Sequence, residues 1–147
     1  MRKSDEKRQT PDLESPTSVL DASALLAYLN DEEGAQLVEE GLARGSAVST
    51  VNMAEVMSKL TEVGKEPDEV NEELHRRGFL GGTLVVFPLT ADDAVVVAKL
   101  YRRTKTQGLS LGDRACLALA LRLGVPVLTT DRVWSRLKIG VKVELIR

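Results

Sequence analysis

Four acidic side chains of this sequence stand just after a short apolar segment or one helical turn beyond it. The four are Asp21, Glu55, Asp113 and Asp131, in the strings SVLDAS (18–23), SAVSTVNMAEV (46–56), LSLGDRA (109–115) and VLTTDRVW (127–134). Side chains at the carboxyl ends of strands in an open α/β sheet converge on one crevice. Carboxylates placed there repel one another, so the crevice needs protons or a bound cation. Hard oxygen ligands favour Mg²⁺ or Mn²⁺ over softer metals, so the pattern predicts a divalent-metal site.

Each acid, taken singly, also has an ordinary structural explanation. Asp113 follows Ser110 by three residues, which is a capping-box pattern, and Asp21 and Asp131 can cap the helices that follow them. Glu55 can be a solvated helix residue. Thr90 and Asp93 repeat the pattern of Ser110 and Asp113, but Asp93 opens an ordinary amphipathic helix. Asp113 opens a helix that is apolar on nearly every side, where an unpaired carboxylate is costly.

Strand-like and helical segments alternate along the chain from Thr17 onward. Short apolar runs predict strands at 17–20, 46–49, 84–87, 125–128 and 141–146. Helical spacing of apolar residues predicts helices near 22–29, 35–42, 53–63, 67–77, 90–104, 110–123 and 131–137. This alternation is typical of a mostly parallel sheet with helices on both faces. We expect the runs at 84–87 and 125–128 to be buried on both sides and 141–146 to be a half-exposed edge strand.

Length and composition indicate one ordinary globular domain. The chain has 147 residues, of which 43% are hydrophobic and 29% charged, with a formal net charge of −2. The charge excludes a globally basic nucleic-acid binder. Residues 1–16 are polar and mixed in charge and are expected to form a disordered tail, with the folded domain at 17–147. A single cysteine, no apolar signal core and no long apolar run favour a cytoplasmic protein without membrane contact.

The motifs around the four acids resemble those of the PIN domain, and more narrowly those of the VapC-type toxin ribonucleases of toxin–antitoxin operons. The matching strings are D-x-S-A at 21–24, A-E-V at 54–56, L-S-L-G-D-R-A at 109–115 and T-T-D-R-V-W at 129–134. The resemblance covers about residues 17–147, with the four acids in family order. It implies a three-layer α/β/α fold around a parallel sheet of about five strands.

The same resemblance implies a Mg²⁺- or Mn²⁺-dependent endoribonuclease that cuts RNA, with tRNA or rRNA as the expected substrate. Asp21, Glu55, Asp113 and Asp131 would be the metal-binding and catalytic acids, and Ser23 and Thr130 would support them. A water activated by the metal would serve as the nucleophile, so no cysteine, histidine or serine nucleophile is required. A homodimer and inhibition by a cognate antitoxin, whose tail lies over the acidic crevice, are also implied.

Other functions fit parts of the pattern. A Mg²⁺-dependent phosphatase or phosphoacceptor domain also places aspartates at strand ends, but it would want a second aspartate at position 23, where this chain has Ser23. A non-catalytic module that grips RNA, and a PIN nuclease of RNA processing that is not a toxin, remain as alternatives. A DNA-directed flap nuclease is disfavoured because the chain lacks length for an added duplex-binding domain.

Overall fold

The computed structural model describes residues 15–147, which form a five-stranded parallel sheet between two layers of helices. The strands are β1 (Ser18–Leu20), β2 (Ser46–Ser49), β3 (Leu84–Phe87), β4 (Val127–Thr129) and β5 (Val143–Leu145). The helices are α1 (Ala22–Leu29), α2 (Ala35–Arg44), α3 (Thr50–Glu62), α4 (Pro67–Arg76), α5 (Ala91–Thr104) and α6 (Leu111–Leu123). Two short 3₁₀ helices, Lys105–Gln107 and Arg132–Arg136, complete the fold. The predicted α/β/α architecture is confirmed.

The strand order β3-β2-β1-β4-β5 creates a switch point beside the central strand. The chain runs from β1 outward through β2 to β3 and then returns to the other side of β1 to form β4. Leu20 of β1 pairs with Leu128 of β4, so the two strands end side by side. In open α/β sheets the crevice beyond the strand ends at such a switch point is the usual ligand site.

Each central strand contributes alternate side chains to two hydrophobic cores. Leu20 and Val48 pack with helices α1 to α4 on one face of the sheet. Val19 and Val127 pack on the other face with α5, α6 and the buried Trp134. Alternation along a strand sends successive side chains to opposite faces, so this pattern anchors both helical layers and holds the strand ends in place.

The burial of β3 was predicted incorrectly from the sequence. Its apolar run was expected to be buried on both sides, but β3 is an edge strand and only Leu84 is fully buried. Apolar composition alone does not report position in the sheet. The edge strand expected at 141–146 is confirmed in β5, which is half-buried along its length.

Two further expectations concern the ends of the chain and membranes. The disordered tail predicted for residues 1–16 lies, through residue 14, outside the described residues, whereas Pro16 is buried and the Thr17 N–H donates to the Gly45 carbonyl. Within residues 15–147 no helix combines the length and apolar character needed to cross a membrane.

Candidate active site

Asp21 lies immediately beyond β1 and is the most enclosed of the four acids, with only 4% of its surface exposed. One carboxylate oxygen, Oδ1, accepts hydrogen bonds from the Ala24 N–H at 2.8 Å and from the Ser23 hydroxyl at 2.7 Å. The other, Oδ2, accepts from the Thr129 hydroxyl at 2.5 Å. The bond to Ala24 makes Asp21 the N-cap of α1, as one interpretation of the sequence predicted. Both oxygens are therefore fixed by the start of α1 and the end of β4.

The hydroxyls around Asp21 link β1 to β4. Thr129 is fully buried, and its oxygen also accepts the Asp131 N–H at 3.0 Å. Ser23 accepts the Thr130 N–H at 3.1 Å. The structure thus gives Ser23 the supporting contact expected of it, while Thr129 rather than Thr130 supplies the second hydroxyl. Thr130 contributes its backbone N–H and lines the same cavity.

Asp131 and Asp113 each cap a helix at the rim of the same crevice. Oδ1 of Asp131 accepts the Val133 N–H at 3.0 Å and so caps the 3₁₀ helix Arg132–Arg136. Oδ2 of Asp113 accepts the Ser110 N–H at 3.0 Å, and the Ser110 hydroxyl accepts the Asp113 N–H in return. Each cap uses one carboxylate oxygen. Among the described residues the other oxygen of each aspartate makes no hydrogen bond, so capping leaves it available to a ligand.

Asp93 provides the structural comparison that the sequence suggested. Thr90 and Asp93 form the same reciprocal capping box, and Asp93 additionally pairs with the Arg122 guanidinium at 3.2 Å. Asp113 has the capping box without the cation. Its neighbour Arg114 turns away and donates to the Val97 carbonyl at 3.0 Å. The two aspartates therefore share a local motif but differ in charge balance.

Glu55 lies on α3, one turn beyond the end of β2, and its carboxylate rests against the first turn of α6. The Asn52 amide donates to Oε1 of Glu55 at 2.8 Å and to the Gly112 carbonyl at 3.0 Å. A Cβ atom built on Gly112 would come within 2.3 Å of Oε1. The absence of a side chain at position 112 is therefore what lets the Glu55 carboxylate reach α6.

All four acids line one cavity of about 350 Å³ at the carboxyl end of the sheet. The complete lining comprises Asp21, Ala22, Ser23, Leu26, Glu55, Lys59, Asp113, Thr130 and Asp131. Every site residue chosen from the sequence is in this set. Lys59 is a lining residue that the sequence analysis did not select, and it is the cation of the lining.

The charges in this cavity are poorly balanced. Among residues 15–147 no lysine, arginine or histidine forms an ion pair with Asp21, Glu55, Asp113 or Asp131. The pKa of Asp21 is raised from its ordinary value of 3.8 to about 6, mainly by burial and to a smaller extent by the nearby Asp113 charge. The hydrogen bonds from Thr129, Ser23 and Ala24 oppose this rise in pKa without cancelling it.

The donor atoms suit a hard divalent cation. The polar atoms offered by the lining side chains are carboxylate and hydroxyl oxygens, together with the Lys59 amine, and the lining holds neither histidine nor cysteine. Oxygen donors of this kind are the ligands that Mg²⁺ and Mn²⁺ prefer, whereas zinc sites usually include histidine or cysteine. Within residues 15–147 no three acidic, histidine or cysteine side chains are already close enough together to hold an ion.

Three residues with positioning contacts were missed by the sequence analysis. The sequence analysis selected Thr130 and overlooked the adjacent Thr129. Side chains alternate along a strand, so the sequence places the Thr129 side chain on the opposite face of the sheet from Leu128. Asn52 carries a signal in its spacing, because residues three apart on a helix are neighbours and Asn52 precedes Glu55 by three. Gly112 has no such signal, since only the packing of α3 against α6 shows why a side chain is excluded.

Comparison with known proteins supports this assignment of the fold. The family model for the PIN domain matches residues 18–140. A toxin–antitoxin complex from Klebsiella pneumoniae superposes with a TM-score of 0.68 at 18% identity, covering 88% of this chain and 98% of that one. VapBC2 from Rickettsia felis, bound to a promoter DNA fragment, gives a TM-score of 0.65 at 16% identity, and the match covers 87% of this chain and 97% of that one. VapC20 of Mycobacterium tuberculosis, a sarcin–ricin-loop-cleaving toxin, gives a TM-score of 0.62 at 15% identity, and the match covers 85% of this chain and 98% of that one.

Matched substitutions in the two capping boxes should separate a cap from a site residue. In EDTA, Asp93→Asn should lower the free energy of unfolding by about 1–3 kcal/mol, because it removes the ion pair with Arg122. Asp113→Asn keeps a capping oxygen and relieves repulsion, so the metal-free melting temperature should rise slightly. Thermal and urea unfolding would measure both. An equal loss of stability in the two variants would show that Asp113 is only a cap.

The pH dependence of stability should report the enclosed carboxyl of Asp21. Its pKa of about 6 in the folded state exceeds 3.8, so the metal-free folded chain binds this proton more tightly than the unfolded chain. Relative to Asp21→Asn, wild-type stability should be greatest below about pH 4, fall as pH rises to about 6, and stay level above that. The fall should approach roughly 3 kcal/mol, from about 1.4 kcal/mol per pKa unit.

Urea unfolding of both proteins in EDTA, from about pH 4 to about pH 7.5, would measure this difference. A stability difference that stays constant with pH, or that grows in favour of the wild type as pH rises, would contradict the buried environment described for Asp21.

Proposed function

Since this chain belongs to the PIN domain family, we propose that it is a Mg²⁺- or Mn²⁺-dependent endoribonuclease and the toxin of a type II toxin–antitoxin system. The observation that carries the proposal is the convergence of four acids on one cavity, where none of them forms an ion pair within residues 15–147. A carboxylate cluster of this kind repels an RNA phosphate unless a divalent cation lies between them. Metal is therefore proposed to serve both binding and chemistry.

The chain's own residues would divide the work as follows. A bound divalent ion supplies an activated water and offsets charge on the phosphate. Asp21, Glu55, Asp113 and Asp131 would hold the ion, with Asp21 kept in place by Ser23 and Thr129. Glu55 would use its Oε2 atom, because Oε1 accepts a hydrogen bond from the Asn52 amide.

Lys59 is proposed to help hold the substrate. It lies one helical turn after Glu55, is exposed, and lines the acidic cavity. A lysine ammonium in this position would attract the RNA backbone, whose contacts with proteins are largely made through phosphate oxygens. It would also favour a phosphate chain over an uncharged substrate.

The toxin assignment is supported by the structural neighbours, which include a toxin–antitoxin complex, the VapBC2 proteins bound to promoter DNA and a sarcin–ricin-loop-cleaving toxin. By this analogy we infer a cognate antitoxin that covers the acidic cavity, a homodimeric nuclease, and a cytoplasmic location where its tRNA or rRNA substrate is present. The phosphoacceptor alternative is disfavoured because the hydroxyl of Ser23 stands where a second aspartate would be wanted and is committed to Asp21.

RNA cleavage by the purified chain, free of antitoxin, should depend on both the metal and the acids. Total tRNA and rRNA incubated with Mg²⁺ or Mn²⁺ should give discrete products that EDTA abolishes. Asp21→Asn and Asp113→Asn should reduce the cleavage rate at least about 100-fold, because each removes a carboxylate from the cavity. Asp93→Asn, which has the same capping box outside the cavity, should cleave at a rate close to wild type.

Cleavage that persists in EDTA, or that survives in Asp113→Asn while being lost in Asp93→Asn, would contradict this assignment. Intact RNA in every lane, together with RNA binding in EDTA, would favour the non-catalytic module. A hydroxylamine-sensitive phosphate on Asp21 would favour the phosphoacceptor domain.

Expression in a bacterium tests the toxin role separately from the chemistry. Induced wild-type protein should arrest growth, whereas Asp113→Asn at the same soluble level should not, because the growth arrest is expected to follow from RNA cleavage. Growth curves with immunoblots of the soluble fraction would measure this. Normal growth with abundant active wild-type enzyme would assign the chain to RNA processing rather than to a toxin.

A further inference from the structure

A buried amide and a side-chain-free position together determine where the Glu55 carboxylate lies. Asn52 is 1% exposed and sits on α3, three residues before Glu55, so both project from the same side of the helix. Its Nδ2 atom donates to Oε1 of Glu55 at 2.8 Å and to the carbonyl of Gly112 at 3.0 Å. One amide group thus ties the acid to the first turn of α6, directly beside Asp113.

Gly112 completes this arrangement from the opposite side. A Cβ atom at position 112 would lie 2.3 Å from Oε1 and 2.7 Å from Cδ of Glu55, closer than atoms can approach. Gly112 has no positive φ angle, so its backbone conformation does not require glycine. Glycine inside a helix is less favourable than alanine by roughly 0.5–1 kcal/mol. Close approach by Glu55 is therefore the evident reason for glycine here.

Asn52 is buried, so its polar side chain cannot be explained as an ordinary solvent-exposed helix residue. Its Oδ1 atom is buried and has no hydrogen-bond partner within the described residues, which is a cost to the fold. Leucine of similar volume would avoid that cost. The two hydrogen bonds donated by Nδ2 offset this cost, and one of them is accepted by the Glu55 carboxylate.

We propose that Asn52 and Gly112 form a positioning pair that holds Glu55 next to Asp113 for divalent-metal binding. The proposal rests on the metal site proposed above and extends it to two residues outside the cavity lining. Neither residue touches substrate or ion. Asn52 fixes Oε1 and leaves Oε2 free, and Gly112 provides the space that the carboxylate occupies. Partners of this kind typically change metal affinity by about 10- to 100-fold when removed.

Mn²⁺ binding to the full-length chain, followed by electron paramagnetic resonance of free Mn²⁺, tests this directly. Asn52→Leu should weaken Mn²⁺ affinity at least about 10-fold. Gly112→Ala should weaken it similarly while keeping or raising the melting temperature, because alanine favours the helix. Asp93→Asn is the control: it alters the matching capping box at the start of α5, whose carboxylate lies outside the cavity lining and pairs with Arg122 in the last turn of α6, and affinity should stay at the wild-type value.

A double-mutant cycle distinguishes positioning from general structural support. In a Glu55→Ala background, Asn52→Leu should change Mn²⁺ affinity less than about twofold, because the group that it positions is gone. The same pair should also be non-additive in urea unfolding in EDTA, which needs no metal. If Asn52→Leu does not fold, Gly112→Ala in the two backgrounds provides the same cycle.

The outcomes separate this inference from the proposed function. Wild-type affinity in both Asn52→Leu and Gly112→Ala, or equal losses with and without Glu55, would overturn the positioning pair and leave the nuclease intact. A wild-type chain that binds no Mn²⁺ would overturn the metal-dependent function, whereas non-additive unfolding in EDTA would still support the Asn52–Glu55 contact.

Discussion

The enclosure of the Asp21 carboxyl group between β1 and β4, with no ion pair to it among residues 15–147, is the constraint on which the rest of the site depends. Burial of a carboxylate is unfavourable, and here it is offset by hydrogen bonds from Ala24, Ser23 and Thr129. Those donors come from α1 and from the end of β4, so the acidic site depends on the parallel pairing of β1 with β4. A divalent cation in the cavity would relieve the remaining electrostatic cost.

Helix capping and ligand binding are compatible roles for the aspartates of this site. Asp21, Asp113 and Asp131 each accept a backbone N–H at the start of a helical segment. Helix N-termini stabilise negative charge, which partly offsets the mutual repulsion of the acids. For Asp113 and Asp131 the cap takes one oxygen and fixes the side chain's direction. The same local motif at Asp93 ends in an ion pair with Arg122, so the surroundings and not the motif distinguish a site residue.

Much of this arrangement could be predicted from the sequence, because the signals are local. Apolar runs and helical spacing located the strands and helices, and the positions of Asp21 after β1 and of Asp131 after β4 followed from where those apolar runs end. The burial expected for β3 was wrong because LVVF reads the same in a central strand as in an edge strand. The contact between Gly112 and Glu55 joins residues distant in sequence, so it depends on how α3 packs against α6.

Anomalous diffraction from crystals of the full-length chain grown with Mn²⁺ would test most directly whether the four acids form one divalent-metal site. The expected result is an anomalous peak inside the cavity, bonded to carboxylate oxygens of Asp21 and Asp113, that is lost in Asp113→Asn and retained in Asp93→Asn. A cavity without a peak at saturating Mn²⁺, or a peak that persists unchanged in Asp113→Asn, would contradict the site described here.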